Sequence, residues 1–265
     1  MFKYLVLAGL VFPVSAFAQC PVKIGDIAVM ESAKEAFSNF KSAPVKNEFE
    51  KSDDFQKRLD AFEASNREPR LVENTASRRI IEYNADEERF EIRASAFGDE
   101  PLLLWGTTKD FPSSLKPKRK NFTIEISEEV AEAGTYEASN AYGATVNVKD
   151  KNSEVYNVYD SPGGKIGRSH WEPDARVKSD SSKYKWDTMY LDMPPEKAKE
   201  LKDSIQFGLA FSPKPPFYFE TSRISTPTIR NPNRRYTKYH NIAADISCAF
   251  MTDGNGRVLK IAMPK

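Results

Sequence analysis

The stretch SDDFQKRLDAFEAS at residues 52–65, followed by IIEYNADEERFEIRA at residues 80–94, decides the fold class because the spacing of apolar residues changes between the two. In the first segment the apolar residues recur at steps of four and three, which predicts an amphipathic helix. In the second they alternate with polar residues on either side of Asp86, which predicts a two-stranded hairpin. The apolar positions are Phe55, Leu59 and Phe62 in the helix and Ile81, Tyr83, Phe90, Ile92 and Ala94 in the hairpin.

The first segment begins with the signals of a helix N-terminus. The hydroxyl of Ser52 can accept a hydrogen bond from a free amide of the first turn. Asp53 and Asp54 place negative charge where the helix dipole is positive. We therefore expect a helix from Ser52 to about Asn66 with its apolar stripe buried.

Two more helices are predicted, one on each side of this region. Residues 26–40 place apolar side chains at mixed steps of three and four before Pro44. Asp192 and Pro194 are typical of a helix start, and the Pro-rich residues 213–216 would end that helix. The third helix is expected to carry its apolar side chains on one face at Ala198, Leu201, Ile205 and Leu209.

Further strands are predicted where short β-prone runs are separated by Pro, Gly, Asn and Lys clusters. The order along the chain is helices, strands, helix and strands, which indicates an α+β fold with a mixed or mainly antiparallel sheet and about three helices. The turn between the last two strands is expected at residues 253–256. The predicted strands are Leu102–Trp105, Phe122–Ile126, Ala144–Val148, Val155–Tyr159, Tyr218–Ile224, Ile242–Met251 and Val258–Ala262.

Residues 1–18 have the features of a cleavable signal peptide. Lys3 supplies the positive start, and the uncharged residues 4–17, interrupted by Pro13, are too few to span a bilayer as a helix. Ala16-Phe17-Ala18 offers small residues at the positions that a signal peptidase requires, so cleavage is expected before Gln19.

Cleavage would leave residues 19–265 as an exported protein, periplasmic or secreted, with no membrane span. We expect residues 19–265 to form a single intertwined α+β unit with two lobes, over 19–160 and 161–265. A lipid anchor on Cys20 is disfavoured because Gln19, which precedes it, is neither Gly nor Ala.

The sequence has two cysteines, Cys20 and Cys248. An oxidising compartment permits a disulfide between them, which would attach the N-terminal segment to a late strand. A reactive thiol is the alternative, but it would need a nearby base or a Cys-x-x-Cys pair, and the sequence has no such pair.

Charge is balanced after removal of the leader. Loss of Lys3 takes one basic residue from the 39 of the full sequence, which then equal the 38 acidic residues. A chain without net charge has no global field that attracts nucleic acid, so no nucleic-acid partner is expected.

Two short segments resemble known sequences. Glu48-Phe49-Glu50-Lys51-Ser52, with Phe55 and Arg58 after it, resembles a segment near the N-termini of uncharacterised exported bacterial proteins. Asn140-Ala141-Tyr142-Gly143 resembles a second element of the same proteins. The resemblance implies shared architecture and carries no activity.

No catalytic or metal-binding pattern emerges. The two histidines, His170 and His240, do not have metal-ligand spacing, and no Gly-x-Ser-x-Gly elbow is present. We therefore predict neither a cofactor nor a metal. Catalysis by a pair of carboxylates remains an open alternative, because the distance between the two groups depends on the fold.

Two stretches are candidate binding sites. Aromatic residues interleave with Lys and Asp between Tyr159 and Tyr190, a mixture that can stack on ligands or lie buried under a loop. A basic segment at residues 223–238, interpreted as a loop, can bind phosphates or carboxylates or remain solvated. The candidate ligand-binding residues are Trp171, Tyr184, Trp186, Arg223, Arg230, Arg234 and Arg235.

These patterns favour a non-enzymatic envelope protein that binds an envelope or anionic partner through one of the two stretches. One alternative is a hydrolase of cell-wall or polysaccharide material that uses carboxylates. Another is an anion-binding module.

Overall fold

The structure, a computed structural model, describes residues 20–76, 79–98, 122–160, 171–172, 176–177 and 186–264. The side chains of residues 93–98, 160, 171–172, 176–177 and 186–188, together with those of Arg79, Phe122 and Pro264, are outside this description. The helices within these ranges are α1 (Ala33–Phe40), α2 (Ser52–Ser65) and α3 (Pro195–Leu201). The strands are β1 (Arg70–Glu73), β2 (Arg79–Asn84), β3 (Arg89–Gly98), β4 (Phe122–Ser139), β5 (Thr145–Asp160), β6 (Trp171–Glu172), β7 (Arg176–Val177), β8 (Trp186–Asp192), β9 (Gln206–Ser225), β10 (Asn233–Thr252) and β11 (Val258–Pro264).

The larger sheet is organised around β10. One edge of β10 pairs antiparallel with β9, and the other pairs first in parallel with β5 and then antiparallel with β11. Strands β1, β4 and β6 extend this sheet, and β2, β3, β8 and β7 form a second, antiparallel sheet. The predicted α+β fold with a mixed sheet is therefore confirmed.

The two faces of the larger sheet are covered differently. Phe37 and Phe40 of α1 are fully buried in the main core. On the opposite face, Val22 and Ala28 of the N-terminal segment join Phe250 in a smaller cluster. Because both faces of the C-terminal half of β10 are covered, its sequence is a nearly continuous apolar run.

A disulfide joins Cys20 to Cys248, with the two Cα atoms 5.4 Å apart. The predicted pairing is confirmed, and the N-terminal segment is attached to β10. In the chain-entropy account, closing a loop with a sequence separation of 228 stabilises the fold by about 5 kcal/mol.

The helix predicted over residues 26–40 is shorter than expected. It begins after Ser32, whose hydroxyl accepts a bond from the Glu35 amide at 3.2 Å, while the Glu35 carboxylate accepts one from the Ser32 amide at 3.1 Å. This capping box sets the start. Before it, Ile27 and Glu31 form isolated β-bridges instead of a helical turn.

The helix at residues 52–65 is confirmed, but its N-terminus and burial differ from the prediction. Lys51 occupies the N-cap position without a side-chain cap, and Ser52 is already helical. Phe55, Leu59 and Phe62 are only partly buried, and of these Leu59 and Phe62 pack against the main core, so the predicted stripe is not fully buried.

The third helix ends at Leu201, and Leu209 lies in β9 instead of on the helix. The residues after the helix alternate with period two, since Phe207, Leu209 and Phe211 all face the main core. Residues 206–211 therefore form a strand, because their alternating apolar side chains suit a sheet and no longer follow the helical spacing of residues 198–205. The Pro-rich residues 213–216 also lie within β9.

The remaining strand predictions are confirmed in position, although several strands are longer. The two runs predicted at 144–148 and 155–159 form one strand, β5, and the turn at 253–256 is present. The predicted strand Leu102–Trp105 and residues 1–19 lie outside the described residues. Within the described ranges, no helix is long and apolar enough to cross a membrane.

Candidate functional site

The predicted aromatic site lies largely outside the described side chains. By backbone position, Trp171 belongs to β6 in the larger sheet and Trp186 to β8 in the smaller one. Tyr184 lies outside the described residues. Stacking by this stretch therefore stays a prediction.

The basic segment 223–238 is not a loop. It consists of the end of β9, a connection over residues 226–232 and the start of β10. Thr228 and Asn231 exchange backbone hydrogen bonds of 2.9 and 3.1 Å that close the connection. The strands hold their side chains in fixed directions on either face, which a solvated loop would not do.

Three cations of this segment are paired with carboxylates on other strands of the same sheet, namely β5, β9 and β4. Nη1 of Arg234 lies 3.4 Å from Oδ2 of Asp150. Nζ of Lys238 lies 2.8 Å from Oε2 of Glu220. Arg235 pairs with Glu128 and donates to the Ser153 hydroxyl at 2.8 Å. These three residues cross-link β10 to those strands.

Two arginines of the same segment have no such partner among the described residues. Arg223 and Arg230 are exposed. Lys149 on β5 is also exposed, and its backbone amide donates to the Pro232 carbonyl at 2.9 Å, which puts Lys149 next to the connection. The end of the β9–β10 hairpin therefore carries uncompensated positive charge.

Exposed apolar side chains accompany these cations. Ile224 lies directly opposite Tyr236 in the register of β9 and β10, and they are 57% and 39% exposed. Ile229, in the connection, is 53% exposed. We call this end of the hairpin the hairpin surface: Ile224 and Tyr236 lie on one face of the strands, Lys149 and Arg223 on the other, and Ile229 and Arg230 in the connection.

A second constellation surrounds His240, whose side chain is 1% exposed. Its Nδ1 lies 2.6 Å from the Tyr218 hydroxyl, which donates to Oε1 of Glu220 at 2.5 Å. Its Nε2 lies 3.5 Å from Oε2 of Glu154, and the Tyr156 hydroxyl donates to that oxygen at 3.2 Å. The ring of Tyr156 stacks on the imidazole with centroids 4.8 Å apart. We call these residues, with Lys238, the His240 network.

Burial dominates the electrostatics of this network. It lowers the pKa of His240, with a further contribution from Lys41. It raises the pKa of Tyr218, and raises that of Tyr156 to about 12. Burial alone would also raise the pKa of Glu220, but hydrogen bonds from Lys238 and Tyr218 hold it below the usual range.

The chemistry open to the His240 network is limited by its geometry. Glu154 and Glu220 lie beside opposite nitrogens of the imidazole, so the ring fills the space between them. A glycosidase pair needs that space for the substrate. Among the described residues, no group of three or more His, Cys, Asp or Glu side chains could hold a metal ion.

Sequence reasoning missed this network because it depends on register. His240 faces Glu220 across an antiparallel pair and Tyr156 across a parallel pair. The available signal was the two-residue spacing of polar side chains in each strand, Tyr218 with Glu220 and Lys238 with His240. That spacing does not reveal which strands meet.

Residues 48–58, on which the predicted resemblance rests, form a turn and the start of α2, with local ion pairing. The guanidinium of Arg58 donates to both carboxylate oxygens of Glu50, at 2.8 and 2.7 Å, and to the Val45 carbonyl at 3.1 Å. Phe49 is 91% exposed, and Tyr142 in the second element is 95% exposed. Glu50 and Arg58 therefore have a structural role.

One open groove of about 430 Å³ lies beside the N-terminal segment. Arg70 pairs with Glu31 there, its Nε donating at 2.5 Å, and Glu35 is engaged by Ser32. Its charged side chains are thus already bonded to one another or to the helix cap. The lining residues include Val29, Met30, Glu31, Glu35, Arg70 and Leu71.

No protein-family model matches the chain, and no curated protein or solved structure is detectably similar to it.

Proposed function

We propose that this chain is an exported, non-enzymatic envelope protein that binds an acidic protein partner through the hairpin surface. The observation that carries the proposal is that exposed apolar and unpaired basic side chains meet at one end of the hairpin: Ile224 and Tyr236 on one face, Arg223 on the other, and Arg230 in the connection that joins the strands. The same segment was a candidate from the sequence, and its geometry distinguishes the cations that are paired with carboxylates from those that have no such partner among the described residues.

The charge balance supports an anionic partner. Arg234, Arg235 and Lys238 are paired with carboxylates on other strands of the same sheet. Lys149, Arg223 and Arg230 are exposed and have no ion-pair partner among the described residues. A guanidinium can donate two parallel bonds to a carboxylate, so Arg223 and Arg230 fit acidic side chains.

The apolar side chains support a protein partner over a free anion. Burying a large apolar side chain contributes about 1.5–3 kcal/mol, whereas an exposed ion pair contributes about 0–1 kcal/mol. Ile224, Ile229 and Tyr236 would contribute little to binding a small anion. Tyr and Arg together are typical of interface positions that carry most of the binding energy.

Export is part of the proposal. The leader predicted at residues 1–18 would direct it, and a disulfide between Cys20 and Cys248 persists in oxidising compartments. The aromatic stretch with Trp171, Tyr184 and Trp186 remains an alternative surface for the same kind of partner.

The proposal is tested with a labelled synthetic peptide of alternating Glu and Leu, its binding measured by fluorescence anisotropy at several salt concentrations. We expect salt-sensitive binding that weakens at least about tenfold in an Arg223→Ser/Arg230→Ser variant and also in Ile224→Ser. The matched control is Lys51→Ser/Lys202→Ser, which removes the same charge from exposed positions elsewhere.

Other outcomes select other functions. An anion-binding module would show a different pattern. The Arg223→Ser/Arg230→Ser variant would lose peptide binding, Ile224→Ser would not, and inorganic phosphate would bind the wild-type chain as tightly as the peptide does. No effect of either variant would reject the hairpin surface.

A further inference from the structure

His240 is a buried base surrounded by titratable and charged groups from several elements. Strand β9 contributes Tyr218 and Glu220, and β5 contributes Glu154 and Tyr156. Two cations act on it as well, Lys238 on its own strand and Lys41 just after α1. Because the side chain is 1% exposed, each polar atom of the ring needs a partner from this set.

Hydrogen-bond accounting fixes the tautomer of the imidazole. The Tyr218 hydroxyl has one proton, and it donates that proton to Glu220. Glu220 is ionised, since it pairs with Lys238 at 2.8 Å and its pKa is held below the usual range. The Tyr218 oxygen must then act as acceptor toward His240, 2.6 Å away. Nδ1 of His240 therefore carries the ring proton at neutral pH.

The other ring nitrogen, Nε2, is then unprotonated, so it is a hydrogen-bond acceptor that faces a second acceptor, the carboxylate of Glu154. Nε2 has no hydrogen-bond partner and is buried. Oε2 of Glu154 lies 3.5 Å away, close enough that no water oxygen fits between the two atoms. A proton on Nε2 would turn this contact into a charge-assisted bond. Nε2 can therefore accept one proton, and that proton would lie between Nε2 and Oε2 of Glu154.

We propose that the His240 network is an acid sensor, in which Nε2 takes up a proton from solvent below neutral pH and bonds to Glu154. The product is an imidazolium between two carboxylates, linking β10 to β5. The only covalent change is the new Nε2–H bond, whose proton comes from solvent hydronium. The imidazolium also attracts Glu220, through the 3.4 Å approach of Nδ1 to its carboxylate, and so competes with Lys238 for that partner.

The competition connects the sensor to the hairpin surface, a step that rests on the function proposed above. Lys238 lies two residues from Tyr236 on the same face of β10. An ammonium released from Glu220 would add positive charge beside the hairpin surface. Acidification would then strengthen docking of an acidic partner.

The surrounding charges predict how variants move the protonation midpoint. Burial and Lys41 oppose the imidazolium, while Glu220 and Glu154 favour it. Glu154→Gln should therefore lower the midpoint by about 1 pH unit, and Lys41→Gln should raise it. Glu137→Gln, which removes an exposed carboxylate on β4, is the matched control and should leave it unchanged.

The experiment is an NMR titration of the ¹⁵N-labelled full chain between about pH 4 and pH 8, a window that brackets the ordinary histidine pKa. A His170→Gln variant assigns the remaining imidazole to His240. We expect the Nδ1-protonated tautomer at neutral pH, a midpoint below that of free histidine, and amide shifts of Glu220 and Lys238 with the same midpoint.

Three results would overturn the sensor: an Nε2-protonated tautomer at neutral pH, no titration of His240 in the folded protein, or an unchanged midpoint in Glu154→Gln. The tautomer is read from the wild-type chain, so it decides the question even where a variant does not fold. None of these results involves peptide binding. If the hairpin surface binds no peptide, the proposal that His240 senses acid is therefore unaffected. If His240 titrates as expected but acidification does not strengthen peptide binding, only the proposed connection through Lys238 is rejected.

Discussion

The ring of Phe62 on α2 packs edge-on against Phe217 of β9, with ring centroids 5.0 Å apart. Phe62 also meets Phe40 of α1 at 6.3 Å, so it joins both helices to the sheet. Both rings are partly buried, but the aromatic contacts of α2 with α1 and β9 are made by Phe62, whereas Phe55 has the guanidinium of Arg58 over its ring at 5.9 Å.

This contact predicts which residue of α2 matters most for stability. Phe62→Ala should lower the free energy of unfolding by about 2–3 kcal/mol, less than a fully buried Phe because the side chain is only partly buried. Phe55→Ala should cost about 1 kcal/mol. Urea denaturation measures both. Equal losses would mean that α2 is not anchored through Phe62.

The start of α1 gives a second stability prediction. Ser32→Ala removes the acceptor for the Glu35 amide and should cost about 1 kcal/mol. Ser52→Ala should have almost no effect, because Ser52 caps no helix and is bonded at the surface to Lys46. The same denaturation series compares the two serines. A larger loss at Ser52 would contradict the observed helix starts.

The disulfide gives a third prediction. Cys20→Ser/Cys248→Ser should lower the melting temperature, because the unfolded chain regains the entropy of a large closed loop, about 5 kcal/mol in the chain-entropy account. Reduction of the wild-type protein should have the same effect, and denatured, unreduced protein should not react with an alkylating reagent. Labelling of both thiols without reduction would exclude the bond.

The elements that sequence predicted well are those decided by neighbours along the chain. The β2–β3 hairpin pairs Ile81 with Ile92 through a short turn, so alternation alone locates it. The helical spacing extends α3 past its observed end at Leu201, because Ile205 fits both the three- and four-residue steps of the helix and the alternation of β9. The His240 network was invisible because it requires β5 and β10 to pair in parallel, and no local pattern specifies that register.

Alkaline pH should destabilise the protein through its buried phenols. The pKa of Tyr156 is raised to about 12, whereas in the unfolded chain it ionises near its ordinary value of 10.0. Between these values the unfolded state loses a proton that the folded state keeps, so stability falls as pH rises through this interval. Tyr156→Phe should reduce this loss, and phenolate absorbance of the folded protein follows the titration. Full phenolate formation near pH 10 without unfolding would contradict the burial of these rings.

The last prediction separates structural arginines from binding ones. Arg235 bonds to Glu128 and to the Ser153 hydroxyl, and both Arg235 and Glu128 are partly shielded from water. Arg235→Ser leaves that carboxylate without its cation and should cost about 1–2 kcal/mol, after allowance for the partial exposure of both groups.

Arg230→Ser is the matched control, because Arg230 lies exposed in the connection and its loss should leave the melting temperature unchanged. The triple variant Arg230→Ser/Arg234→Ser/Arg235→Ser should therefore be less stable than wild type, and lost binding in it would not identify a binding site. Arg223→Ser/Arg230→Ser should keep wild-type stability, so lost binding there reports on the hairpin surface itself. If Arg235→Ser and Arg230→Ser melted at the same temperature as wild type, the cross-strand pair with Glu128 would contribute nothing measurable, and Arg235 would again be a candidate for binding.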